Sequence, residues 1–345
     1  NHHIAKSYPE AAGHAVQAGC DLNCGGVYRQ LGKALAIGSI SEETIDRSVQ
    51  RLFEARLRLG MFDEPDRVPF NKISPEVIDC PVHRRLALEA SRRSMVLLKN
   101  DGALPLDKGL KKIAVIGPNA ESRDVLLGNY SGWPSRYFTA LDGIRAHFGG
   151  ETLFVQGCDL QKKGRSGFSK ALRTAQEAEV VVLCLGLSPR LEGEEGEAGD
   201  KSSLKLPGVQ EELLELLAQT GKPLVVALFS GSPLDLRKVD ELANAVIQAW
   251  YPGQDGGKAL AEILFGDFNP TGRLPVTFVR SEDDLPPFEN YSMKGRTYRY
   301  LETSPLYPFG FGLSYTSFEY SNFVIDAAAD GIHASVLVTN VGAQP

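Results

Sequence analysis

The 345-residue sequence has no apolar run near the length of a membrane-spanning helix, and its opening, Asn1-His2-His3-Ile4, does not read as a signal peptide. Compartment therefore cannot be read directly. Its five cysteines, an odd number with no C-x-x-C pair, argue against a disulfide framework and a zinc ribbon. Cys80, Cys158 and Cys184 read most simply as small core residues. Basic residues are the minority, 37 Lys and Arg against 43 Asp and Glu, and the net charge of −6 disfavours nucleic acid or an anionic membrane as the main partner, since both need a basic face. Nucleotide signatures are missing as well. Gly117-Pro118-Asn119-Ala120 lacks the G-x-G-x-x-G spacing, and no G-x-x-x-x-G-K-[ST] occurs. Leu228-Phe229-Ser230-Gly231-Ser232 and Gly186-Leu187-Ser188-Pro189-Arg190 each miss a glycine of the G-x-S-x-G serine elbow. The six histidines show no metal-ligand spacing, and the adjacent His2-His3 reads as a tag remnant or a chance pair. No metal or cofactor is expected.

With 43% hydrophobic and 23% charged residues, the chain is globular and long enough for two or three domains. Residues 9–19 read as an Ala-rich helix. A second helix begins at Ser41, a plausible N-cap, carries Ile45, Val49, Leu52 and Phe53 on one face, and ends at Gly60. These helices cannot enclose a core alone, so residues 1–65 are expected to be the tail of a domain lying mostly upstream. Residues 66–95 begin as a proline-rich, charged linker, and a helix is expected over residues 84–100. Short apolar strands then alternate with helices: Ile113-Ala114-Val115-Ile116, Leu153-Phe154-Val155, residues 180–185, residues 224–229 and Ala245-Val246-Ile247, with a clear helix over 210–220. This alternation predicts a doubly wound α/β domain with a mostly parallel sheet over residues 96–285. Residues 286–316 are aromatic and turn-rich, suited to packing on that domain or to binding a sugar or peptide. Residues 317–345 show strand alternation around Asp330-Gly331, the opening of a truncated β domain.

The most unusual stretch follows the apolar run at 180–185. Leu191-Glu192-Gly193-Glu194-Glu195-Gly196-Glu197-Ala198-Gly199-Asp200 holds five carboxylates in nine residues. Most acidic clusters are solvated surface loops. Here the cluster leaves a core strand, at the sheet edge where α/β proteins place ligands, and its interleaved glycines let single carboxylates be aimed.

The order of several motifs resembles glycoside hydrolase family 3. They are residues 18–25, Leu97-Leu98-Lys99-Asn100-Asp101-Gly102-Ala103-Leu104-Pro105-Leu106, Leu127-Gly128-Asn129-Tyr130-Ser131-Gly132, the acidic stretch, Trp250-Tyr251-Pro252-Gly253-Gln254-Asp255-Gly256-Gly257, residues 266–275 and residues 307–315. The resemblance spans nearly the whole chain. It implies that residues 1–65 are the C-terminal end of a (β/α) barrel, that 96–285 form the family's α/β sandwich, and that 317–345 begin a fibronectin type III-like domain.

It also implies a retaining exo-acting β-glycosidase that uses two carboxyl groups about 5 Å apart, one nucleophile and one acid/base. The nucleophilic aspartate belongs to the barrel, and no residue here matches it. The acid/base belongs to the acidic stretch, where Glu194 matches best, Glu192 is the second choice, and Glu195 and Glu197 stand behind them. Repulsion among these carboxylates would help keep the donor protonated. Glu195 and Arg190 are candidates for substrate binding. Asp200-Lys201 departs from the family's Asp-Arg, and Cys24 matches a cysteine whose partner lies beside the nucleophile, so here it is expected to be free. The motifs look more like the β-xylosidase and α-L-arabinofuranosidase branch than the β-glucosidases. Expected partners are an oligosaccharide or aryl glycoside substrate and a barrel segment in cis or trans; a homodimer is compatible, and the family favours a periplasmic or secreted location. A non-catalytic carbohydrate-binding piece is the alternative from another class.

Overall fold

The computed structural model describes residues 4–193, 201–287 and 289–344, which divide into two compact units between Ile78 and Asp79. The first is helical. α1 (Tyr8–Gln17) is capped by the Ser7 hydroxyl, which accepts from the Glu10 amide. α2 (Leu31–Ala36) follows, and α3 (Glu42–Arg58) starts at Ser41, whose hydroxyl accepts from the Thr44 amide. Val16, Ala34 and Ile40 are buried together, with Tyr28, Leu31 and Ile45 against them. Further along α3, Val49 and Phe53 remain nearly half exposed.

The second unit opens with α4 (Pro81–Ser94), and six strands form its main sheet: β1 (Val96–Asn100), β2 (Lys112–Ile116), β3 (Glu151–Val155), β4 (Val180–Gly186), β5 (Leu224–Phe229) and β6 (Ala245–Gln248). Their spatial order is β1-β6-β5-β4-β2-β3. β2 through β6 are parallel, and β1 pairs antiparallel with β6 at the edge. This corrects the expected helix over residues 84–100. Val96 and Leu98 pack into one core and Met95 and Leu97 into the other, an alternation that a strand satisfies and a helix cannot.

The same alternation runs through the central strands. Ala114, Ile116, Val181, Leu183, Val226 and Leu228 enter the core beneath α6 (Phe168–Glu177), α8 (Gln210–Ala218) and α9 (Arg237–Leu242). Ile113, Val115, Val182, Cys184, Val225 and Ala227 enter the core beneath α5 (Ala140–His147) and α10 (Gly256–Leu264). The short α7 (Pro189–Glu192) lies between β4 and α8 in sequence. Both faces of the sheet are thus covered, which is why its strands read as continuous apolar runs.

The chain winds from β2 outward to β3, then returns past β2 to β4 and continues to β5 and β6. The winding direction therefore changes between β2 and β4, and open α/β sheets handle ligands beyond the carboxyl ends of the strands at such a point.

After a short helical turn, α11 (Thr297–Tyr300), the aromatic segment folds back on this domain. Tyr307 is buried edge-on to Phe278, the Leu313 amide donates to the Leu97 carbonyl at 2.8 Å, and the Tyr315 hydroxyl donates to the Ile263 carbonyl at 2.8 Å. Tyr298 and Phe309 instead stack on one another, about half exposed. β7 (Phe318–Ala328) and β8 (Gly331–Asn340) form an antiparallel hairpin exposed along both strands. Among the described residues, no helix is long and apolar enough to cross a membrane.

Candidate active site at the carboxyl edge of the sheet

Two glycines let the strands meet closely at this edge. Gly117 ends β2 with φ +120°, and a Cβ there would stand 2.1 Å from the Cys184 carbonyl oxygen; Gly186 ends β4 with φ +134°, where a Cβ would stand 2.0 Å from the Phe229 carbonyl oxygen. Between them the buried Asn119 donates from Nδ2 to the Leu187 carbonyl at 3.1 Å, while its Oδ1 has no partner among the described residues. β4 therefore delivers Leu187, Ser188 and α7 to this edge in a fixed direction.

Glu192 closes α7, and Gly193 turns the chain with φ +103°. The Glu192 carboxylate crosses to the turn after β5. Oε1 accepts from the Ser232 hydroxyl at 2.7 Å, the Ser232 amide at 3.0 Å and the Gly231 amide at 2.9 Å, and Oε2 accepts from the Gly231 amide at 3.1 Å. The Tyr251 ring packs over Gly231, and its hydroxyl makes no hydrogen bond within normal geometry among the described residues. Burial, and then the adjacent Glu192 charge, push the Tyr251 phenol well above its ordinary range.

The described chain continues at Lys201. Its amide donates to the Glu192 carbonyl at 3.4 Å and its ammonium to the Pro233 carbonyl at 2.8 Å. Burial holds the Lys201 ammonium below its ordinary pKa, while Glu192 and Glu282 act in the opposite direction. Beyond it, the Ser203 hydroxyl and Leu204 amide both donate to Glu282 Oε1.

The candidate residues named from sequence are thus distributed unevenly. Glu192 sits at the carboxyl edge with its oxygens engaged. Arg190 is largely solvent-exposed, its guanidinium 3.7 Å from the Asp124 carboxylate. Glu194, Glu195 and Glu197 lie outside the described residues. Cys24 is exposed and free. No group of three or more His, Cys, Asp and Glu side chains suited to a metal ion occurs among the described residues.

Gly231, Ser232, Tyr251 and Lys201 were not singled out as site residues from sequence. A signal was present: β5 ends at Phe229 beside β4, and the residues following two adjacent parallel strands share one edge. Ser230-Gly231-Ser232, which lacks a glycine of the serine elbow, is instead the receptor for the Glu192 carboxylate.

Comparison with known proteins places this geometry in context. The model of the Glycosyl hydrolase family 3 C-terminal domain matches residues 95–315. The chain is similar to a xylan 1,4-beta-xylosidase of Xylanibacter ruminicola, 31% identical over an alignment covering 100% of this chain and 58% of that protein. Among solved structures, it is similar to a GH3 exo-beta-xylosidase in complex with a xylobiose aziridine activity-based probe, with a TM-score of 0.81, 34% identity, and coverage of 92% of this chain and 42% of that one. A beta-glucosidase from Erythrobacter marinus has a TM-score of 0.80 and 35% identity, covering 98% of this chain and 50% of its own. The chain spans about half the length of the curated relatives it matches.

Proposed function

The chain belongs to glycoside hydrolase family 3, and from that premise we propose that it forms the acid/base-bearing part of a retaining, exo-acting β-glycosidase that releases xylose from the non-reducing ends of oligosaccharides. The observation that carries this reading is the placement of the two described residues that flank the acidic stretch: Glu192, beyond β4 at the winding switch point, and Lys201 are both held against the 230–233 turn. An α/β sheet presents ligand-handling loops at this edge.

In this mechanism Glu194 protonates the glycosidic oxygen while a carboxylate from a barrel segment, in cis or in trans, attacks the anomeric carbon from the opposite side. Water then opens the glycosyl-enzyme ester with Glu194 acting as base, so the anomeric configuration is retained. Glu194 is preferred to Glu192 because the Glu192 oxygens already receive backbone and hydroxyl donors. Glu195 and Arg190 are assigned to substrate binding on the leaving-group side. Neither half-reaction calls for a metal. By the same reading, residues 1–65 complete a barrel and residues 317–345 begin a fibronectin type III-like domain.

The reading is tested by assaying the full-length polypeptide on nitrophenyl β-xyloside, β-glucoside and α-L-arabinofuranoside. The largest kcat/KM on the xyloside, with β-xylose as the first-formed product by NMR, supports it. The similarity to a beta-glucosidase of known structure favours a glucosidase as the second reading, which a preference for the glucoside would establish. Binding of xylo-oligosaccharides without turnover of any substrate would instead make the protein a carbohydrate-binding module.

A further inference from the structure

Resting on that assignment, we propose that Glu192 and Lys201 are positioning residues: together they lock the two ends of the acid-bearing stretch onto the 230–233 turn and so set where the proton donor meets the leaving oxygen. The two fastenings are made by different groups. At the entry, the Glu192 carboxylate takes both the Gly231 and Ser232 amides and the Ser232 hydroxyl. At the exit, the Lys201 ammonium reaches the Pro233 carbonyl, one residue further along the same turn. The Lys201 amide meets the Glu192 carbonyl, joining the two ends directly.

The turn is shaped to receive the carboxylate. A Cβ on residue 231 would stand 2.6 Å from Glu192 Oε2 and 3.0 Å from Tyr251 Cε2, so glycine leaves room for both. Tyr251 covers one side of the Glu192–Gly231 contact. Charge-assisted bonds to backbone amides are stronger and more directional than neutral ones. They are well suited to fixing the chain at Glu192, one residue before the turn at Gly193. The turn itself is braced from below: the buried Gln248 donates from Nε2 to the Ser230 carbonyl and hydroxyl, both at 3.0 Å, and the Ser230 hydroxyl donates to the Ser232 carbonyl at 2.9 Å. This arrangement matters for chemistry because a general acid works only within hydrogen-bond reach of its oxygen, and a displacement of about 1 Å can cost a hundredfold in rate.

The test uses the full-length polypeptide and two substrates, phenyl β-xyloside, whose leaving group needs protonation, and 2,4-dinitrophenyl β-xyloside, whose leaving group does not. Glu192→Gln keeps the side chain's size but replaces an acceptor with an amide NH2, and Lys201→Met removes only the ammonium. In each variant kcat/KM on the phenyl xyloside is expected to fall roughly 10- to 100-fold, and the loss of kcat/KM on the dinitrophenyl xyloside, which reports glycosyl-enzyme formation alone, to be about tenfold smaller. KM stays within about twofold and the basic limb of the pH profile is retained, because the donor is displaced but not removed. Lys201→Arg should recover most of the rate.

Equal losses on both substrates, or none on either, overturn the proposal. So does loss of the basic limb in Glu192→Gln with rescue by azide, since Glu192 would then be the acid itself. If the parent enzyme hydrolyses no glycoside, the functional reading fails on its own account and the clamp is judged by amide hydrogen exchange. Exchange at Gly231 and Ser232 should quicken by about tenfold or more in Glu192→Gln; unchanged exchange overturns the clamp.

Discussion

Gln210 grips Gly186 from both sides: its Oε1 accepts from the Gly186 amide at 2.9 Å, and its Nε2 donates to the Gly186 carbonyl, also at 2.9 Å. Nε2 also reaches the Leu160 carbonyl at 2.8 Å, so the first side chain of α8 ties down the residue at which β4 releases the chain. Gln210 is fully buried. Gln210→Leu would fill the space but orphan these backbone groups, each costing about 1–3 kcal/mol when buried. We expect a loss of roughly 3 kcal/mol in urea unfolding. A loss below about 1 kcal/mol would mean that the strand end is held by its ladder alone.

Helices α5 and α10 meet through backbone. A Cβ on Gly257 would lie 1.8 Å from the Thr139 carbonyl oxygen, and one on Gly143 would lie 1.9 Å from the Gly257 carbonyl oxygen. Gly257→Ala must therefore push the helices apart and open the core containing Leu141, Ile144 and Leu260. The expected cost is about 3 kcal/mol or more, read as a lower denaturation midpoint. A wild-type midpoint would contradict this packing.

Asp79 receives the Arg84 guanidinium at 2.9 and 3.0 Å, the Ser135 amide at 3.2 Å and the Gln254 side-chain amide at 3.0 Å. Arg84 first, then Ser135 and Gln254, hold its carboxyl well below the ordinary value of 3.8. Its stabilisation is therefore present in full above pH 3.8 and is lost as pH falls through the folded value. Asp79 has φ +54°, a conformation that asparagine tolerates, so Asp79→Asn removes the charge with little backbone strain. Its Tm should fall below that of the parent at pH 7, with the gap narrowing as the pH is lowered toward the folded value. A gap independent of pH would show that the charge contributes nothing.

Burial pushes the Cys184 thiol up to about 12 and the Cys158 thiol to about 11. Both should resist dithionitrobenzoate in the native protein, whereas the exposed Cys20 and Cys24 react. Because both folded values lie above the ordinary 9.0, the neutral thiols' contribution to stability is complete below pH 9.0 and is lost as pH rises toward the folded values. Rapid modification of all the cysteines would contradict the packing of β4.

Much of the α/β domain was legible because its strands are buried on both faces. The apolar runs that end at Ile116 and Leu185, each before a glycine, and at Phe229, before Ser230-Gly231, coincide with β2, β4 and β5 to within a residue. β1 was not legible, since Val96-Leu97-Leu98 continues the apolar content of α4 and its partner β6 lies far along the chain. The clamp on Glu192 was hidden for a related reason. Its partners Gly231 and Ser232 come from the next strand's turn, and only the order of β4 and β5 in the sheet brings them together. The acidic stretch stood out by composition alone, but composition could not separate a carboxylate that fastens the loop from one that donates a proton.

The most direct test of the account is the leaving-group dependence of Glu194→Gln in the full-length polypeptide. Hydrolysis of phenyl β-xyloside should fall by about 10²- to 10⁴-fold, the range of general acid–base catalysis. On 2,4-dinitrophenyl β-xyloside, glycosyl-enzyme formation should be little changed, and azide should restore turnover and yield β-xylosyl azide. An undiminished rate on the phenyl xyloside, with no azide product, would contradict the assignment of the proton donor to Glu194.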